Sequence, residues 1–440
     1  MSDTLTQAPA PAGFTLPIRE IRSPGGISAW LAEDHSVPVV SLAWGWDGGA
    51  SLDPEGQEGA AAVAAALLTE GAGDLNAADF QDALRDAGIG LSFHGDRDGF
   101  EGGFRALRSP PGTAEGDALP EAVRLARLAL TAPRFDAEAV ERVRARSIAG
   151  ARQALEGPRG QANRAFWANS FPASPYARPP GGTAESLAAL PADAIRAAAA
   201  RHLRRAGLQV TASGAITEAE FGRALDDLFG ALPDSDAPVA PPLPRFALPP
   251  LATGGAQVVT VDAPQCAVIF GQPGLAVSDP DWEAAQVVLR VLAGGGFSSR
   301  LMTEVRVKRG LSYGIGAGLD TVARQGLILG SVATENARVA ETLTVLRAEW
   351  ARMAAEGPSE EEVRDAVAFL TGSLPLQFTD SRRTASILLS QRRNNRAPDW
   401  LAGRPARLAA LTQDKVTEVS KRLLQPEALG AVVAGKPQGL

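Results

Sequence analysis

Residues with redox or metal-binding chemistry are scarce in this chain of 440 residues. Cys266 is the single cysteine, which excludes an intramolecular disulfide. Its apolar neighbours in APQCAVIF predict a residue packed in a strand rather than a reactive thiol. The three histidines, His35, His94 and His202, are far apart in the sequence. Because metal-binding histidines usually come in closely spaced pairs, we expect these to be solvated or singly hydrogen-bonded.

Positive charge and long apolar runs are also in short supply. The net charge is −7 at pH 7, which argues against a surface for nucleic acid or anionic membrane. No apolar run approaches the roughly 20 residues that span a bilayer. The start, MSDTLTQAPAPAG, lacks the basic and apolar regions of a signal peptide. We expect a cytoplasmic chain as the sequence stands, or a periplasmic one if an export signal has been removed.

The sequence is rich in alanine, most visibly in Gly59 to Gly73, which reads GAAAVAAALLTEGAG. Seven of these residues are alanine, so the segment is predicted to be a helix that ends near Gly71. Ala62, Ala65 and Ala66 share one face, at the spacing at which an H-x-x-E-H helix carries two metal ligands and a general base. Methyl groups at these positions can perform no such chemistry.

The order of predicted elements occurs twice. Each half begins with an apolar strand and a helix, continues with a strand pair and two helices, and closes with a helix and a strand. Val140 in EAVERV corresponds to Val363 in EEVRDA, and Asp193 in DAIRAA corresponds to Asp414 in DKVTEV at nearly the same separation. These correspondences indicate a duplicated α+β unit.

The boundary between the copies is predicted from a proline-rich stretch. Pro233 to Pro250 reads PDSDAPVAPPLPRFALPP, a composition typical of an extended, semi-rigid connection. We therefore predict a flexible segment at 1–14, an N-terminal domain at 15–232, a linker at 233–250 and a C-terminal domain at 251–440.

A family resemblance rests on several of these segments. The element order and the stretch GGGFSSRLMTEVRVKRGLSYGIGAGLD, from Gly294 to Asp320, resemble the pitrilysin- or insulinase-like zinc peptidases, which include the mitochondrial processing peptidase. DGGASLDPEGQEG, SPYARPPGGT and LTGSLPLQF support the resemblance. It implies two homologous α/β-sandwich domains that form half of a clamshell. Each domain would have a mixed, largely antiparallel sheet with helices on one face.

The resemblance also implies a zinc site, which this chain lacks. In active members the first-domain helix carries H-x-x-E-H, and a glutamate further along completes the ligands, as a zinc hydrolase with one open metal position requires. Aligning the glycine before that motif with Gly59 puts Ala62, Ala65 and Ala66 in place of the motif, and Gly150 near the position of the glutamate. We therefore expect no metal in this chain, and zinc in a partner subunit.

The second copy retains a different feature of the family. In related subunits an arginine seven residues before a tyrosine reaches from the second domain toward the substrate, and Arg306 and Tyr313 have that spacing. We predict a helix from Leu301 to Arg309 and a strand beginning at Leu311 to Tyr313. A guanidinium and a phenol hydroxyl can both donate hydrogen bonds to a carbonyl oxygen that gains negative charge. The alternative is a surface arginine and a core tyrosine.

The glycine-rich loop before Arg306 is a candidate contact for substrate. No GK[ST] follows it, so a phosphate loop is disfavoured, and a hinge or close backbone packing is favoured. The candidate substrate-binding residues are Gly294, Gly295, Gly296, Ser298 and Arg300.

These features together predict a non-catalytic subunit of a heterodimeric zinc metallopeptidase. The chain would bind peptide by strand addition and supply Arg306 and Tyr313 to a partner that carries H-x-x-E-H, while being inactive alone. Two alternatives stay open at this point. One is a purely structural core-type subunit, and the other is a peptide-binding homodimer.

Overall fold

The computed structural model describes residues 15–109, 116–294 and 296–440. The predicted flexible segment 1–14 and the candidate Gly295 lie outside the described residues. The limits predicted for the two domains stay a prediction.

The first half begins with three strands and places its helices mainly after them. Its elements are β1 (Arg19–Arg22), β2 (Ser28–Glu33), β3 (Val39–Asp47), α1 (Ala60–Leu67), α2 (Ala77–Asp86), β4 (Gly90–Gly95), β5 (Gly99–Leu107), α3 (Leu119–Thr131), α4 (Ala137–Gln153), α5 (Pro158–Ser170), α6 (Ala184–Ala189), α7 (Ala192–His202), β6 (Gln209–Gly214) and α8 (Glu218–Phe229).

The second half follows the same plan. Its elements are α9 (Leu251–Gly254), β7 (Gln257–Thr260), β8 (Gln265–Pro273), α10 (Trp282–Ala293), a π-helical turn (Met302–Val307), β9 (Ile315–Val322), β10 (Gln325–Glu335), α11 (Val339–Glu356), α12 (Glu360–Gly372), α13 (Ser381–Arg393), α14 (Arg404–Ala409), α15 (Gln413–Leu423) and β11 (Gly430–Gly435).

The two sheets have matching strand orders, which confirms the predicted duplicated α+β fold. The first is ordered β1-β2-β6-β3-β5-β4, and the second β7-β11-β8-β10-β9. Both sheets are largely antiparallel, with one parallel pair each, β2 with β6 and β7 with β11. The first sheet therefore has the plan of the second plus an extra edge strand, β1.

The central strands of each sheet are buried on both faces, because a helix from the other half covers the face opposite the sheet's own helices. In β8, Cys266, Val268 and Phe270 belong to the core of the second half, whereas Ala267 and Ile269 pack with residues of α5. Alternate residues of a strand point to opposite faces, so a strand buried on both sides reads as a continuous apolar run. The prediction that Cys266 packs in a strand is confirmed.

The reciprocal contact is made by α13 on the first sheet. Its buried Ala385 and Leu389 pack against Ala43 of β3. The Ser41 and Ser381 hydroxyls lie 2.9 Å apart, and the Thr211 hydroxyl donates to the Ala385 carbonyl at 2.8 Å. Small residues on this face of the sheet let the helix approach closely. We call this pairing of α5 and α13 with the opposite sheets the helix exchange.

Candidate functional site

The predicted helix before the Arg306 and Tyr313 pair is partly π-helical. The Lys308 amide donates to the Thr303 carbonyl five residues earlier at 2.9 Å, and Gly310, shortly after the turn, has a left-handed φ of 59°. Met302 and Val305 are buried in the core of the second half. Single π turns are frequent at functional sites because they change which way the following side chains point.

The strand after this helix begins later than predicted. We expected it at Leu311 to Tyr313, but β9 begins at Ile315. Ser312 accounts for the difference, because its hydroxyl bonds both the amide and the carbonyl of Gly314, at 3.1 and 3.0 Å. This local turn takes the backbone groups away from a strand ladder.

Arg306 and Tyr313 meet in space, as their spacing predicts. Arg306 Nη1 donates to the Tyr313 carbonyl at 2.8 Å, and its guanidinium carbon lies 5.7 Å from the Tyr313 ring centroid. Tyr313 is 88% exposed, so the alternative of a core tyrosine is wrong. The phenol stands in solvent at the start of β9, beside a guanidinium that is held in place by the chain's own backbone.

Phe297 is a third member of this cluster, and the sequence reasoning missed it. Its ring centroid lies 4.6 Å from the Arg306 guanidinium carbon, within cation–π range, although the ring is 65% exposed. The signal in the sequence was an aromatic residue directly after three glycines, where no core is expected. We call Phe297, Arg306 and Tyr313 the arginine–aromatic cluster.

The other candidate loop residues are held by local contacts. Gly294 accepts a bond from Arg290 Nη1 at 2.7 Å, and Gly296 has a left-handed φ of 69°. Arg300 forms a two-bond pair with the Glu362 carboxylate, at 2.7 and 2.6 Å. Ser298 is exposed and lines a small pocket together with these two residues. The guanidinium of Arg300 is therefore engaged in joining this loop to α12.

The alanine helix and Gly150 lie at one cavity, as the family alignment implies. Ala62 of α1 and Gly150 of α4 both line a cavity of about 400 Å³, together with part of α5 and the segment 179–183. A Cβ built on Gly150 meets no atom within 4 Å. Ala66 is half-buried, whereas Ala65 is only 1% exposed. The position of the expected general base is thus packed. Of the two ligand positions on α1, Ala62 lines the cavity, whereas Ala66 packs against the core of the first half.

The charged residues that line this cavity, Arg97 and Arg164, are cationic rather than metal-binding. The Arg97 guanidinium carbon stacks 3.9 Å from the Trp167 ring centroid, and Nη1 donates to the Tyr176 and Arg178 carbonyls at 2.5 and 2.9 Å. Burial lowers the pKa of Arg97 to about 10, so the side chain stays positive at neutral pH. A fixed positive charge beside this cavity disfavours a divalent cation.

The start of α1 is held by a buried carboxylate. Asp53 accepts bonds from the Gly59 and Ala61 amides, both at 3.1 Å, which satisfies donors that a helix start leaves free. Burial raises the pKa of Asp53 to about 7, against the lowering effect of those amides and of Arg201. This carboxylate is occupied with the backbone of α1 and is not a metal ligand.

A zinc ion does not fit the residues present at the expected position. Ala62, Ala65, Ala66 and Gly150 offer no donor atom. Within 15–109, 116–294 and 296–440, no group of three or more His, Cys, Asp or Glu side chains is arranged to hold a metal.

The histidines are also separate in space, and each has its own contact. His35 Nε2 lies 2.9 Å from a Glu33 oxygen, and His94 Nε2 lies 3.3 Å from a Glu101 oxygen. His202 is buried, with Nδ1 at 2.9 Å from the Ala198 carbonyl.

The helices in the described part of the chain are all too short or too polar to cross a membrane.

Comparison with known proteins gives a family model and relatives. Residues 189–370 match a model described as "Peptidase M16 inactive domain". An uncharacterized zinc protease of Streptomyces coelicolor is 33% identical over 255 residues, which cover 56% of this chain and 54% of that protein. The chain therefore spans about half the length of that relative. The non-peptidase homolog YmxG of Helicobacter pylori is 27% identical over 354 residues, 78% of this chain and 77% of that protein.

The fold is also shared with solved structures. A peptidase M16 inactive domain from Pseudomonas fluorescens superposes with a TM-score of 0.86 at 22% identity, covering 96% of this chain and 99% of that one. At this identity the match speaks for the fold alone. The agreement extends over both halves of the chain.

Proposed function

Because this chain carries the inactive domain of peptidase M16, which confirms its resemblance to the pitrilysin-like peptidases, we propose that it is the non-catalytic subunit of a heterodimeric zinc peptidase. It binds peptide together with a catalytic subunit that carries H-x-x-E-H and zinc. It supplies Arg306 and Tyr313 to the active site of that partner.

The observation that carries this proposal is the exposure of the arginine–aromatic cluster. A tyrosine that served only the chain's own fold would be expected to pack inward, yet Tyr313 is almost fully in solvent. Arg306 is fixed by its bond to the Tyr313 carbonyl and by the Phe297 ring. Donors fixed before a substrate arrives stabilise a developing oxyanion well, because they need little reorganisation.

The zinc positions support the same division of roles. A chain with methyl groups at 62, 65 and 66 has neither ligands nor a general base on α1. A peptidase that uses this chain must therefore place its metal on another subunit. The relative named a non-peptidase homolog, matched over more than three quarters of both chains, accords with this role.

Strand β9 gives the proposed route for the peptide. It is the last strand in the order of the second sheet and begins two residues after Tyr313. An extended peptide that pairs with the free edge of β9 would pass beside the arginine–aromatic cluster. Such pairing uses backbone groups and so accepts many sequences.

The test requires a homologous H-x-x-E-H subunit, mixed with this chain and assayed on a saturating peptide. We expect the mixture to cleave the peptide, and Arg306→Ala and Tyr313→Phe to lower kcat by about 10²- to 10³-fold, the usual loss for one oxyanion donor. Complex formation on a sizing column should be unchanged. Lys308→Ala is the matched control, because Lys308 lies on the same turn and pairs with Glu304.

The same experiment separates the alternatives. Full kcat from both cluster variants would reduce the chain to a structural subunit. A chain that elutes as a homodimer and ignores every H-x-x-E-H subunit offered would contradict the heterodimer. In either case the proposed function fails.

A further inference from the structure

A second cavity lies at the junction of the two halves, away from the arginine–aromatic cluster. It has a volume of about 630 Å³ and is lined by the end of β3, the end of α7, the linker segment 237–242, part of β9 and the end of α13. Neither Arg306, Tyr313 nor Ala62 contributes to it. Cavities where domains and linkers meet are favoured places for ligands.

His202 lines this cavity and has an unused hydrogen-bonding atom. The side chain is 1% exposed, and its ring stacks on Phe100 at a centroid distance of 4.6 Å. Nδ1 faces the Ala198 carbonyl, which can only accept, so Nδ1 carries the proton. Burial lowers the pKa to about 4. In the resulting neutral ring Nε2 is an acceptor, and it has no partner among the described residues.

Asp98 lines the same cavity and also presents an unused acceptor. Its Oδ2 accepts from the Ala323 amide at 2.8 Å, whereas Oδ1 is buried without a partner in the described part of the chain. Burial raises the pKa of this carboxyl, and the nearby Asp320 carboxylate acts in the same direction, against Arg97 and Arg393. An unpaired buried acceptor of this kind is costly unless something donates to it.

Some of the other charged residues that line the cavity have ion-pair partners, and one does not. Asp47 is bonded to both Arg324 and Arg393, at 2.6 and 3.1 Å. The Arg201 guanidinium lies 4.0 Å from the Asp53 carboxylate. Asp320, by contrast, accepts a hydrogen bond from the Thr321 amide at 2.8 Å but has no ion pair within 4.0 Å among the described residues, and burial raises its pKa. The buried side-chain atoms of the cavity that have no hydrogen-bond partner among the described residues are thus two acceptors, Asp98 Oδ1 and His202 Nε2, and one donor, Arg201 Nη1, which lies 4.0 Å from the Asp53 carboxylate.

We propose that this cavity binds a cationic nitrogen group, a primary ammonium or a guanidinium, whose N–H donors meet Asp98 Oδ1 and His202 Nε2 while Asp320 supplies charge. The group belongs either to a lysine or arginine side chain of a peptide or to a free small amine. A cavity of this size accommodates such a side chain. The site acts independently of zinc and of any catalytic partner.

The test uses the full chain alone and isothermal titration with matched probes. Nα-acetyl-lysine amide represents a peptide side chain, Nα-acetyl-norleucine amide is its uncharged control, and agmatine represents a free amine. We expect saturable binding of the lysine or agmatine probe, at least about 10-fold tighter than the norleucine probe. Tighter binding of the lysine amide identifies a peptide as the source, and tighter binding of agmatine identifies a free amine.

Substitutions place the binding in this cavity. Asp98→Asn and Asp320→Asn should each weaken the preferred probe by about 10-fold, because a hydrogen bond or ion pair to a charge is lost. His202→Leu should also weaken it. Asp96→Asn, on the same turn but outside the cavity, should bind as the unsubstituted chain does. If Asp98→Asn does not fold, by circular dichroism, Asp320→Asn decides.

Two results would overturn the proposal. One is equal affinity for the lysine, agmatine and norleucine probes. The other is unchanged affinity in the folded Asp98→Asn and Asp320→Asn chains. Both results are measured without peptidase activity. A failure of this cavity proposal therefore does not affect the proposed function, and a failure of the proposed function does not affect this cavity proposal.

Discussion

Helices α1 and α10 occupy equivalent places in the two halves but are built from different residues. Each follows the long central strand of its sheet, and α1 packs on α7 and β4 as α10 packs on α15 and β9. Helix α1 has 8 residues and buries mainly alanine, whereas α10 has 12 and buries mainly valine and leucine.

The difference shows how one fold supports two kinds of site. Because its side chains are small, α1 approaches the end of β4 closely. A Cβ atom added to Gly95 would lie only 2.9 Å from the Ala61 backbone. The small side chains also leave the cavity at Ala62 and Gly150 unfilled. The large residues of α10 instead share a core with Met302 and Val305, which anchors the turn that carries Arg306. The first half therefore retains a cavity beside α1, whereas the second half uses α10 to anchor the turn that carries Arg306.

The largest effect is expected from removing a large residue of α10. Leu292→Ala should lower the free energy of unfolding by about 2–5 kcal/mol, because Leu292 is fully buried and its neighbours cannot collapse fully into the gap. Urea denaturation followed by circular dichroism measures this. Val307→Ala, at an exposed position, should change stability by less than about 0.5 kcal/mol. Equal effects would mean that α10 is not a rigid support.

Helices α7 and α15 end with different residues in the two halves. Helix α7 ends at His202 and α15 ends at Leu423, and both side chains are buried. Burial, with Arg201 and Arg204 nearby, lowers the pKa of His202 to about 4, below the 6.5 of an unfolded histidine. As the pH falls below 6.5, His202 is protonated in the unfolded chain but stays neutral in the folded chain until about pH 4. The free energy of unfolding therefore decreases as the pH drops from 6.5 to 4. The loss for this group is about 3 kcal/mol.

His202→Leu, which copies the second half, should remove that part of the acid sensitivity. The measurement is the urea midpoint at pH values from 7 to 4 for both chains. His35→Gln is the control, because His35 is exposed. Parallel pH profiles for the original and His202→Leu chains would contradict the prediction.

Within α1, two alanines should respond differently to the same enlargement. Ala64→Leu should destabilise by about 1–3 kcal/mol, because Ala64 is fully buried and the added atoms overpack the core. Ala62→Leu should cost less than about 1 kcal/mol, since Ala62 faces the cavity. Thermal unfolding of the two variants side by side measures this. A larger loss at 62 than at 64 would mean that the space at Ala62 is filled in solution.

The smallest effect is expected at Gly150. Gly150→Ala should stabilise the chain by about 0.5–1 kcal/mol, because the residue is helical and its Cβ meets nothing. Gly160→Ala is the opposed control, since its Cβ would lie 1.6 Å from the Ala154 carbonyl oxygen and should destabilise. Destabilisation by Gly150→Ala would argue against open space at the expected third-ligand position.

Local pattern predicted most of the elements in both halves. The periodicity of Asp136 to Leu155 and of Asp414 to Gly435 gives α4, and α15 with β11, close to their bounds. The pattern did not predict the helices α2, α5, α6, α8, α9, α13 and α14 or the strands β1, β2 and β7. The late start of β9 depends on a single serine side chain, which periodicity does not register.

The candidate site was predictable only in part, because sequence spacing does not show every contact that forms it. The spacing of Arg306 and Tyr313 placed them together, and the alignment of Ala62 with Gly150 placed both at one cavity. The contribution of Phe297 depends on how the glycine-rich loop places its ring over Arg306. The cavity around His202 depends on contacts between segments far apart in the chain. The helix exchange was not predicted either, because the sequence pattern indicated neither α5 nor α13, and each packs on a sheet made by distant segments of the chain.

The helix exchange has a consequence for the order in which the chain folds. Arg392 of α13 bonds Ser28 of β2, 364 positions earlier, so one face of the first sheet is still bare when the ribosome has finished its last strand. At typical rates of synthesis α13 emerges roughly ten seconds or more after β6. During that interval a sheet face of small residues, among them Ser41, Ala43 and Thr211, is open to chaperones, proteases and other nascent chains. A chain cut after β6 would keep that face exposed permanently.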